Sequence, residues 1–259
     1  YIHSSLALRY LRSYSQREFA NIEIAEYSIK EPPIDILSDL YQKSADVVGF
    51  SCYIWNIEET VSLIRMLKKV QPDVKIIVGG PEVSYDIEYW LKRVKEIDFI
   101  VMGEGEETFL HLLRAIKENG GYSEVLGIAY RDGERYQVNP IRPYIDLNQI
   151  PSPYFEEDLQ GLKDKIVYFE ASRGCPFSCA YCLSSIETRV RYFDLERVKR
   201  ELLRLINSGI KTIKFVDRTF NTNKRYAMEI FQFLIEHHQG TVFQFEITAD
   251  IMKPDVLDY

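Results

Sequence analysis

The chain has 259 residues, of which 46% are hydrophobic and 27% are charged, so a folded globular protein is expected rather than a disordered or fibrous one. Its net charge is −7 and it has no basic block, which disfavours nucleic acid as a partner. The longest nearly uncharged apolar stretch, residues 47–57, is too short to cross a membrane, and no signal-peptide pattern is present. We therefore expect a cytoplasmic protein that binds neither nucleic acid nor membrane.

The first half of the chain repeats a short apolar run, a loop of small residues and a helical segment, which is typical of βαβ units. Runs rich in β-branched and aromatic residues predict parallel strands, buried on both faces, at residues 47–50, 76–78 and 99–102. Amphipathic spacing predicts helices at residues 4–12, 58–70 and 106–117, and alternation predicts an edge strand at 22–27. Asn56 is expected to cap the helix that follows the first strand.

The second half has a similar alternation after a proline-rich segment. Asp132-Gly133 predicts a β-hairpin over residues 127–138, and four prolines between residues 140 and 153 predict a semi-rigid connection. The domains are therefore expected at residues 1–139 and 161–259, with a linker at 140–160. In the second domain we predict strands at 166–170, 212–216 and 242–247, helices at 195–207 and 223–238, and the start of another helix at 253–259.

Three of the four cysteines, Cys175, Cys179 and Cys182, lie within eight residues, a spacing that is poor geometry for disulfides. Three thiolates on one loop can each bind one iron of a [4Fe–4S] cluster and leave the fourth iron open to a small molecule. A zinc site is an alternative, disfavoured because no fourth Cys or His is close in sequence. Three unrelated buried thiols are another, disfavoured because Gly174 and Pro176 indicate a loop.

The C-x-x-x-C-x-x-C motif, with Tyr181 before its last cysteine, resembles that of radical S-adenosylmethionine (SAM) enzymes, which carry it after the first strand of a partial (β/α) barrel. The resemblance implies a [4Fe–4S] cluster on the three cysteines, with SAM on the open iron, cleaved to methionine and a 5′-deoxyadenosyl radical. It also implies SAM contacts from Tyr181, Asp217 and Glu246. Asp217 begins a segment similar to the D-x-T-F signature of cobalamin-type members. A helix cap at Asp217 and an outward-facing Glu246 are the alternatives.

The loops after the predicted parallel strands of the first domain are rich in small residues, and ligands bind at the carboxyl ends of such strands. Two of these loops resemble the G-G-P and G-E-G-E loops of the Rossmann-like cobalamin-binding domain that precedes the barrel in one radical SAM subgroup. No D-x-H-x-x-G motif is present to supply a histidine below the cobalt. The resemblance implies cobalamin binding by Ser51, Gly79, Gly80, Pro81, Glu82, Gly103, Glu104, Gly105 and Glu106.

The sequence thus predicts an α/β protein with a Rossmann-like cobalamin-binding-type domain followed by an incomplete (β/α) radical SAM barrel. The resemblance implies methyl transfer or oxidative cyclisation of a small-molecule substrate, with an electron donor such as flavodoxin or ferredoxin. The subgroup includes methylases and the anaerobic magnesium-protoporphyrin monomethyl ester cyclase. A tRNA methylthiotransferase-like enzyme is disfavoured because Cys52 is alone in the first domain, and a non-catalytic iron–sulfur sensor is a further alternative. About three βα units fit after the linker at ~30 residues each, so we expect a fragment of a longer protein.

Overall fold

The structure, a computed structural model, describes residues 3–252, in which the chain forms two compact units. The N-terminal unit is Tyr10–Ile145, and the C-terminal unit takes in the described residues up to Arg9 and from Asp146 onward. In this division, residues 3–9, which include the start of the first helix, belong to the C-terminal unit. There His3 forms a parallel bridge with Ile166. Within residues 3–252, no helix combines the length and apolar character needed to cross a membrane.

The N-terminal unit is built on a five-stranded sheet in which the strands lie side by side in the order of the chain. The first three strands are parallel, as predicted, and the last two form the predicted antiparallel hairpin. Ser51 pairs with Gly79, and Gly79 pairs with Val101, so the carboxyl ends of three strands meet at the same end of the sheet. The strands are β1 Val47–Ser51, β2 Lys75–Gly79, β3 Phe99–Val101, β4 Ile128–Asp132 and β5 Arg135–Val138.

Helices cover both faces of this sheet, which explains why the central strands are apolar throughout. Because successive strand side chains point to opposite faces, Ile76 and Val78 pack in one hydrophobic cluster and Ile77 packs in another. The first cluster includes Leu67 and the second includes Leu112, from helices on the two sides. The helices are α1 Leu6–Ser15, which begins in the C-terminal unit, α2 Pro33–Lys43, α3 Ile57–Val70, α4 Ile87–Arg93 and α5 Glu106–Lys117.

The predicted edge strand at residues 22–27 is wrong, since this segment has no regular secondary structure. Its apolar side chains are still partly buried: Ile22 packs against the cluster that contains Leu112, and Tyr27 against the cluster that contains Leu67. The Tyr27 hydroxyl also donates a hydrogen bond to Asp39 on α2. The alternation of apolar and polar residues therefore reflects side-chain burial along an irregular segment. The segment lacks the backbone hydrogen bonds to a neighbouring strand that would define a β-strand.

The C-terminal unit contains a parallel three-stranded sheet, in which Thr212–Phe215 lies between Ile166–Phe169 and Val242–Gln244. It also contains a separate two-stranded ladder. The predicted helix at 195–207 is confirmed, and Asp194 caps it by accepting a hydrogen bond from the Arg197 amide at 2.9 Å. The prediction for residues 253–259 lies outside the described residues. The elements are α6 Glu156–Leu162, β6 Ile166–Phe169, β7 Ser172–Arg173, β8 Arg191–Tyr192, α7 Leu195–Asn207, β9 Thr212–Phe215, α8 Lys224–His237 and β10 Val242–Gln244.

The segment predicted as a linker, residues 140–160, contains regular structure where it joins the C-terminal unit. A 3-10 helix forms at Leu147–Gln149, and α6 begins within the same segment. Ile150 and Tyr154 are buried, and the Tyr154 hydroxyl donates to the Tyr168 carbonyl on β6. The difference arises because the C-terminal unit buries the apolar side chains of Ile150 and Tyr154 beside Pro151 and Pro153, a contribution that composition alone does not reveal.

The core of the N-terminal unit gives a matched pair of substitutions. We expect Ile64→Ala to lower the free energy of unfolding by about 2–5 kcal/mol, because Ile64 on α3 is only 1% exposed and its loss leaves a cavity. The control is Ile34→Ala, since Ile34 on α2 is 63% exposed; its effect should be well below that of the core variant. Denaturant unfolding followed by circular dichroism measures both, and equal losses would contradict this description of the core.

Candidate functional site

A two-residue ladder closes the loop that carries the three cysteines. β7 follows β6 directly and pairs antiparallel with β8, with Ser172 opposite Tyr192 and Arg173 opposite Arg191. The Phe193 amide donates to the Ala171 carbonyl at 3.0 Å and extends the closure by one hydrogen bond. Residues 174–190 therefore leave the end of β6 as a loop whose two ends are held together.

Cys175 is held firmly at the start of this loop. Gly174 has φ +94°, and a Cβ at this position would lie 2.3 Å from the Arg189 carbonyl oxygen, so glycine is required here. The Cys175 amide donates to the Glu187 carbonyl at 3.0 Å, and the side chain of Cys175 is buried. Its Sγ lies 3.5 Å from the Thr219 hydroxyl, in the segment that follows β9. Contacts from both sides thus position this first thiol.

The other two thiols lie on the open part of the loop. Cys179 is exposed and Cys182 is half-buried, and the Cys182 amide donates to the Cys179 carbonyl at 3.1 Å, which forms a turn between them. Tyr181, within this turn, is 94% exposed. Cys175, Cys179 and Cys182 all carry free thiols. Free thiols on a solvent-accessible loop are the donor chemistry that an iron–sulfur cluster uses.

Within residues 3–252, no three His, Cys, Asp or Glu side chains converge in the arrangement of a single-ion site. A mononuclear zinc site requires its ligands around one centre. In a cubane cluster each thiolate binds a different iron, so its ligands stand further apart. Among the described residues, Cys175, Cys179 and Cys182 therefore do not form such a single-ion group.

Asp217 lies just beyond β9 and is 1% exposed. Its Oδ2 accepts a hydrogen bond from the Ala171 amide at 3.0 Å, and its Oδ1 accepts one from the Ser172 hydroxyl at 2.5 Å. Burial raises the pKa of the Asp217 carboxyl to about 6, although the hydrogen bonds from Ser172 and Ala171 act in the opposite direction. The carboxylate thus joins the end of β9 to the residues that lead into the cysteine loop.

The alternative role predicted for Asp217, a helix cap, is wrong. Asn223 caps α8 instead, by accepting a hydrogen bond from the Tyr226 amide at 3.1 Å. Glu246 lies two residues beyond β10, is exposed and forms an ion pair with Lys214 at 3.6 Å. The structure thus brings Asp217 to the base of the cysteine loop, while Tyr181 and Glu246 are open to solvent.

In the N-terminal unit, the loops after β1 and β2 are in direct backbone contact. The Cys52 amide donates to the Gly79 carbonyl at 2.7 Å, and the Glu82 amide donates to the Cys52 carbonyl at 3.3 Å. Gly80 has φ +110°, and a Cβ there would lie 2.5 Å from the Cys52 carbonyl oxygen. This contact fixes the two loops beside Ser51, the last residue of β1.

The loop after β3 contains two of the predicted glutamates in different environments. Gly103 adopts a positive φ of +71° at the start of this loop. Glu104 Oε2 accepts a hydrogen bond from the Ile145 amide at 3.1 Å, and Glu106 is a buried residue in the first turn of α5. An acidic residue in the first turn of a helix also interacts favourably with the helix dipole. Of the remaining predicted residues, Pro81 is exposed, whereas Gly105 lies directly before α5.

The same end of the sheet contains three residues that sequence reasoning did not assign to the site. Tyr53 and Trp55 stack with ring centroids 4.6 Å apart and planes 8° apart, and Trp55 is 62% exposed. Asn56 does not cap α3 with its side chain as predicted. It accepts a hydrogen bond from the Tyr53 amide at 2.8 Å and donates one to the Ser51 carbonyl at 2.9 Å, which fixes the aromatic loop. The tryptophan between the end of β1 and the start of α3 was the sequence feature from which this loop could have been assigned to the site.

Comparison with known proteins agrees with the two units. Residues 1–113 match the B12 binding domain model, and residues 169–259 match the radical SAM superfamily model. An uncharacterized methyltransferase of Pyrococcus horikoshii is 30% identical over 236 residues, which cover 87% of this chain and 51% of the relative. The anaerobic magnesium-protoporphyrin IX monomethyl ester cyclase of a Synechocystis species is 30% identical over 181 residues, which cover 67% of this chain and 36% of the cyclase.

The fold also matches a solved structure, that of the cobalamin-dependent SAM radical enzyme OxsB with aqua-cobalamin and SAM bound. The TM-score is 0.81 at 22% identity, with 98% of this chain and 37% of that chain covered. The chain is therefore a radical SAM protein with an N-terminal B12 binding domain, and the predicted fold class is confirmed. These domains imply a [4Fe–4S] cluster, SAM and cobalamin, as predicted. The chain spans about half or less of the length of these relatives.

The hydrogen bond from Ser172 to Asp217 can be tested through stability. We expect Ser172→Ala to lower the free energy of unfolding by about 1–3 kcal/mol, because a buried carboxylate oxygen loses its hydroxyl donor. Ser178→Ala, at an exposed position in the same loop, should change stability by no more than about 0.5 kcal/mol. Urea unfolding measures both variants, and an unchanged midpoint for Ser172→Ala would count against the assigned role of this bond.

The contact between Gly80 and Cys52 gives a second test with neighbouring glycines. Gly80→Ala should cost roughly 1–3 kcal/mol of stability, because its φ is unfavourable for alanine and its Cβ would meet a backbone oxygen. For Gly79→Ala the nearest atoms lie 3.6 Å from the new Cβ, an ordinary contact, so a smaller loss is expected. Thermal unfolding measures the stability of both variants. A larger loss for Gly79→Ala than for Gly80→Ala would show that the loops are not fixed as described.

Proposed function

We propose that the protein is a radical SAM enzyme in which Cys175, Cys179 and Cys182 bind a [4Fe–4S] cluster and SAM binds at the open iron. The observation that carries this proposal is the presence of three free thiols on the loop that follows β6 and β7, inside the segment that matches the radical SAM model. When bound, the cluster and SAM supply the electron transfer and the 5′-deoxyadenosyl group for radical chemistry. The tRNA-directed and non-catalytic alternatives gain no support from a specific observation in the structure.

The residues of this loop have different roles in the proposed site. Cys175 is a buried ligand whose position is fixed before the cluster binds, whereas Cys179 and Cys182 lie where the cluster can reach them from solvent. Asp217 was predicted from the sequence as a SAM contact; we propose instead that it is a positioning residue, because both of its oxygens already accept hydrogen bonds from Ala171 and Ser172. Tyr181 and Glu246 remain the proposed SAM contacts, since both are exposed.

We also propose that cobalamin binds at the carboxyl ends of β1, β2 and β3. The residues proposed to contact it are those predicted from sequence, from Ser51 to Glu106, and the exposed aromatic loop of Tyr53 and Trp55 lies at the same end of the sheet. Glycines with positive φ at Gly80 and Gly103 expose backbone that a large ligand can approach closely. These loops contain no histidine, so we expect cobalt to be bound without a histidine ligand from them.

The reaction we propose is cobalamin-associated methyl transfer or oxidative cyclisation of a small molecule. Two relatives support this proposal: one is named an uncharacterized methyltransferase and the other a monomethyl ester cyclase. We also propose that a flavodoxin or ferredoxin reduces the cluster and that the protein is cytoplasmic. The net charge of −7 favours a small-molecule substrate over a nucleic acid.

Iron content after anaerobic reconstitution tests the cluster assignment. The wild-type chain should take up about four iron and four sulfide per chain and show broad visible absorption, whereas Cys179→Ala should lose the intact cluster because one of three ligands is absent. The matched control is Cys52→Ala, since Cys52 is fully buried in the N-terminal unit and should not affect iron uptake.

Two results would contradict the proposal. Stoichiometric zinc in strictly anoxic protein would indicate a structural metal site, and equal iron in wild type and Cys179→Ala would exclude this cysteine as a ligand. Formation of 5′-deoxyadenosine from SAM, measured with the full-length protein under reducing conditions, separates an enzyme from a cluster-binding sensor. We expect its formation to require all three cysteines.

A further inference from the structure

We propose that the Thr219 hydroxyl donates a hydrogen bond to the Cys175 sulfur when the cluster is bound, and that this bond raises the reduction potential of the cluster. The inference rests on the proposed function, because it requires Cys175 to be a cluster ligand. It adds a specific residue that controls how easily the cluster is reduced. Thr219 would thus be a tuning residue that acts through Cys175.

The two side chains meet in the interior of the C-terminal unit. Thr219 Oγ1 lies 3.5 Å from Cys175 Sγ, and the two residues are 6% and 8% exposed. Thr219 follows Asp217 by two residues, and Asp217 holds the beginning of the cysteine loop through Ala171 and Ser172. The segment after β9 therefore contacts the loop at two points, one before Cys175 and one at its sulfur. This double contact fixes the distance between the hydroxyl and the thiol.

The direction of the hydrogen bond depends on whether the cysteine has a proton. In the free protein either atom can be the donor, and Thr219 Oγ1 also donates to the Arg218 carbonyl at 2.8 Å. A thiolate bound to iron has no proton and can only accept. The hydroxyl then has a charged acceptor available, and hydrogen bonds to charged groups are stronger than those to neutral ones. We therefore expect the hydroxyl proton to turn from Arg218 to the sulfur.

A second hydroxyl supports this arrangement. Thr248 Oγ1 lies 3.5 Å from Thr219 Oγ1. From this position Thr248 can donate to the Thr219 oxygen while Thr219 donates its own proton to the sulfur, because a hydroxyl can accept and donate at the same time. A chain of hydroxyls that ends on the sulfur polarises the final bond.

The expected effect on the cluster follows from charge. Reduction adds an electron to the cluster, and a hydrogen bond to a ligand sulfur stabilises the more negative form, so the potential rises. The effect is strongest where water is excluded, which is the case at Cys175. At exposed Cys179, water can donate to the sulfur whether or not a protein donor is present.

The experiment compares wild type, Thr219→Val and Thr219→Ser after anaerobic reconstitution of the full-length protein. A redox titration with a chemical reductant, followed by electron paramagnetic resonance of the reduced cluster, gives each midpoint potential. For Thr219→Val, which keeps the branched shape and removes the hydroxyl, we expect about a tenfold lower ratio of reduced to oxidised cluster at a fixed potential, equal to about 59 mV for one electron. Thr219→Ser keeps the hydroxyl and should stay closer to wild type.

The outcomes separate this inference from the proposed function. If all three proteins bind equal iron and Thr219→Val has the wild-type potential, the inference is wrong while the cluster assignment stands. If wild type itself binds no cluster, the proposed function fails first. Should Thr219→Val not fold, Thr219→Ala removes the same hydroxyl without added bulk and is expected to show the same negative shift. A wild-type potential in Thr219→Ala would overturn the inference equally.

Discussion

Both oxygens of the buried Asp217 carboxylate accept hydrogen bonds from the two residues at which the cysteine loop begins, Ala171 and Ser172. A buried charge is costly unless its oxygens are hydrogen-bonded, so this arrangement is favourable only while those donors stay in place. Satisfying the carboxylate therefore determines where β7 starts relative to the end of β9. The positions of Gly174 and Cys175 follow, because they come next in the chain. The geometry of the candidate cluster site depends on this one interaction.

The loop is fixed on one side and open on the other. Cys175 is buried between the loop backbone and Thr219, while Cys179 is exposed. A buried ligand defines the position of a cluster, and exposed ligands allow its iron and sulfide to enter. The same exposure makes the Cys179 thiol accessible to oxidants.

In the N-terminal unit, the loops at the end of the sheet are held together by a backbone contact, whereas in the C-terminal unit a buried carboxylate has this role. Gly80 brings its backbone against the Cys52 carbonyl, a distance that no other residue would allow. Burial raises the pKa of the Cys52 thiol to about 12, so this cysteine stays protonated and acts as a small apolar side chain. The end of the sheet is thus held by its own backbone, and the side chains of Tyr53 and Trp55 remain available on its surface.

The sequence by itself predicted the parallel strands of both units and helices α1, α3, α5, α7 and α8, because apolar periodicity reflects burial directly, whereas it did not predict α2, α4 and α6. Helices α5 and α7 were predicted with their observed bounds, and the cysteine spacing indicated the loop that we propose as the cluster site. The role of Asp217 could not be predicted, since a carboxylate after a strand is compatible with a cap, a ligand contact or a buried hydrogen-bond acceptor. Only the tertiary structure shows the hydrogen bonds that this carboxylate accepts, because it places Ala171 and Ser172 within hydrogen-bond distance of a residue about 45 positions away in the chain. Such long-range contacts depend on how strands pack together, and local sequence patterns carry no information about that packing.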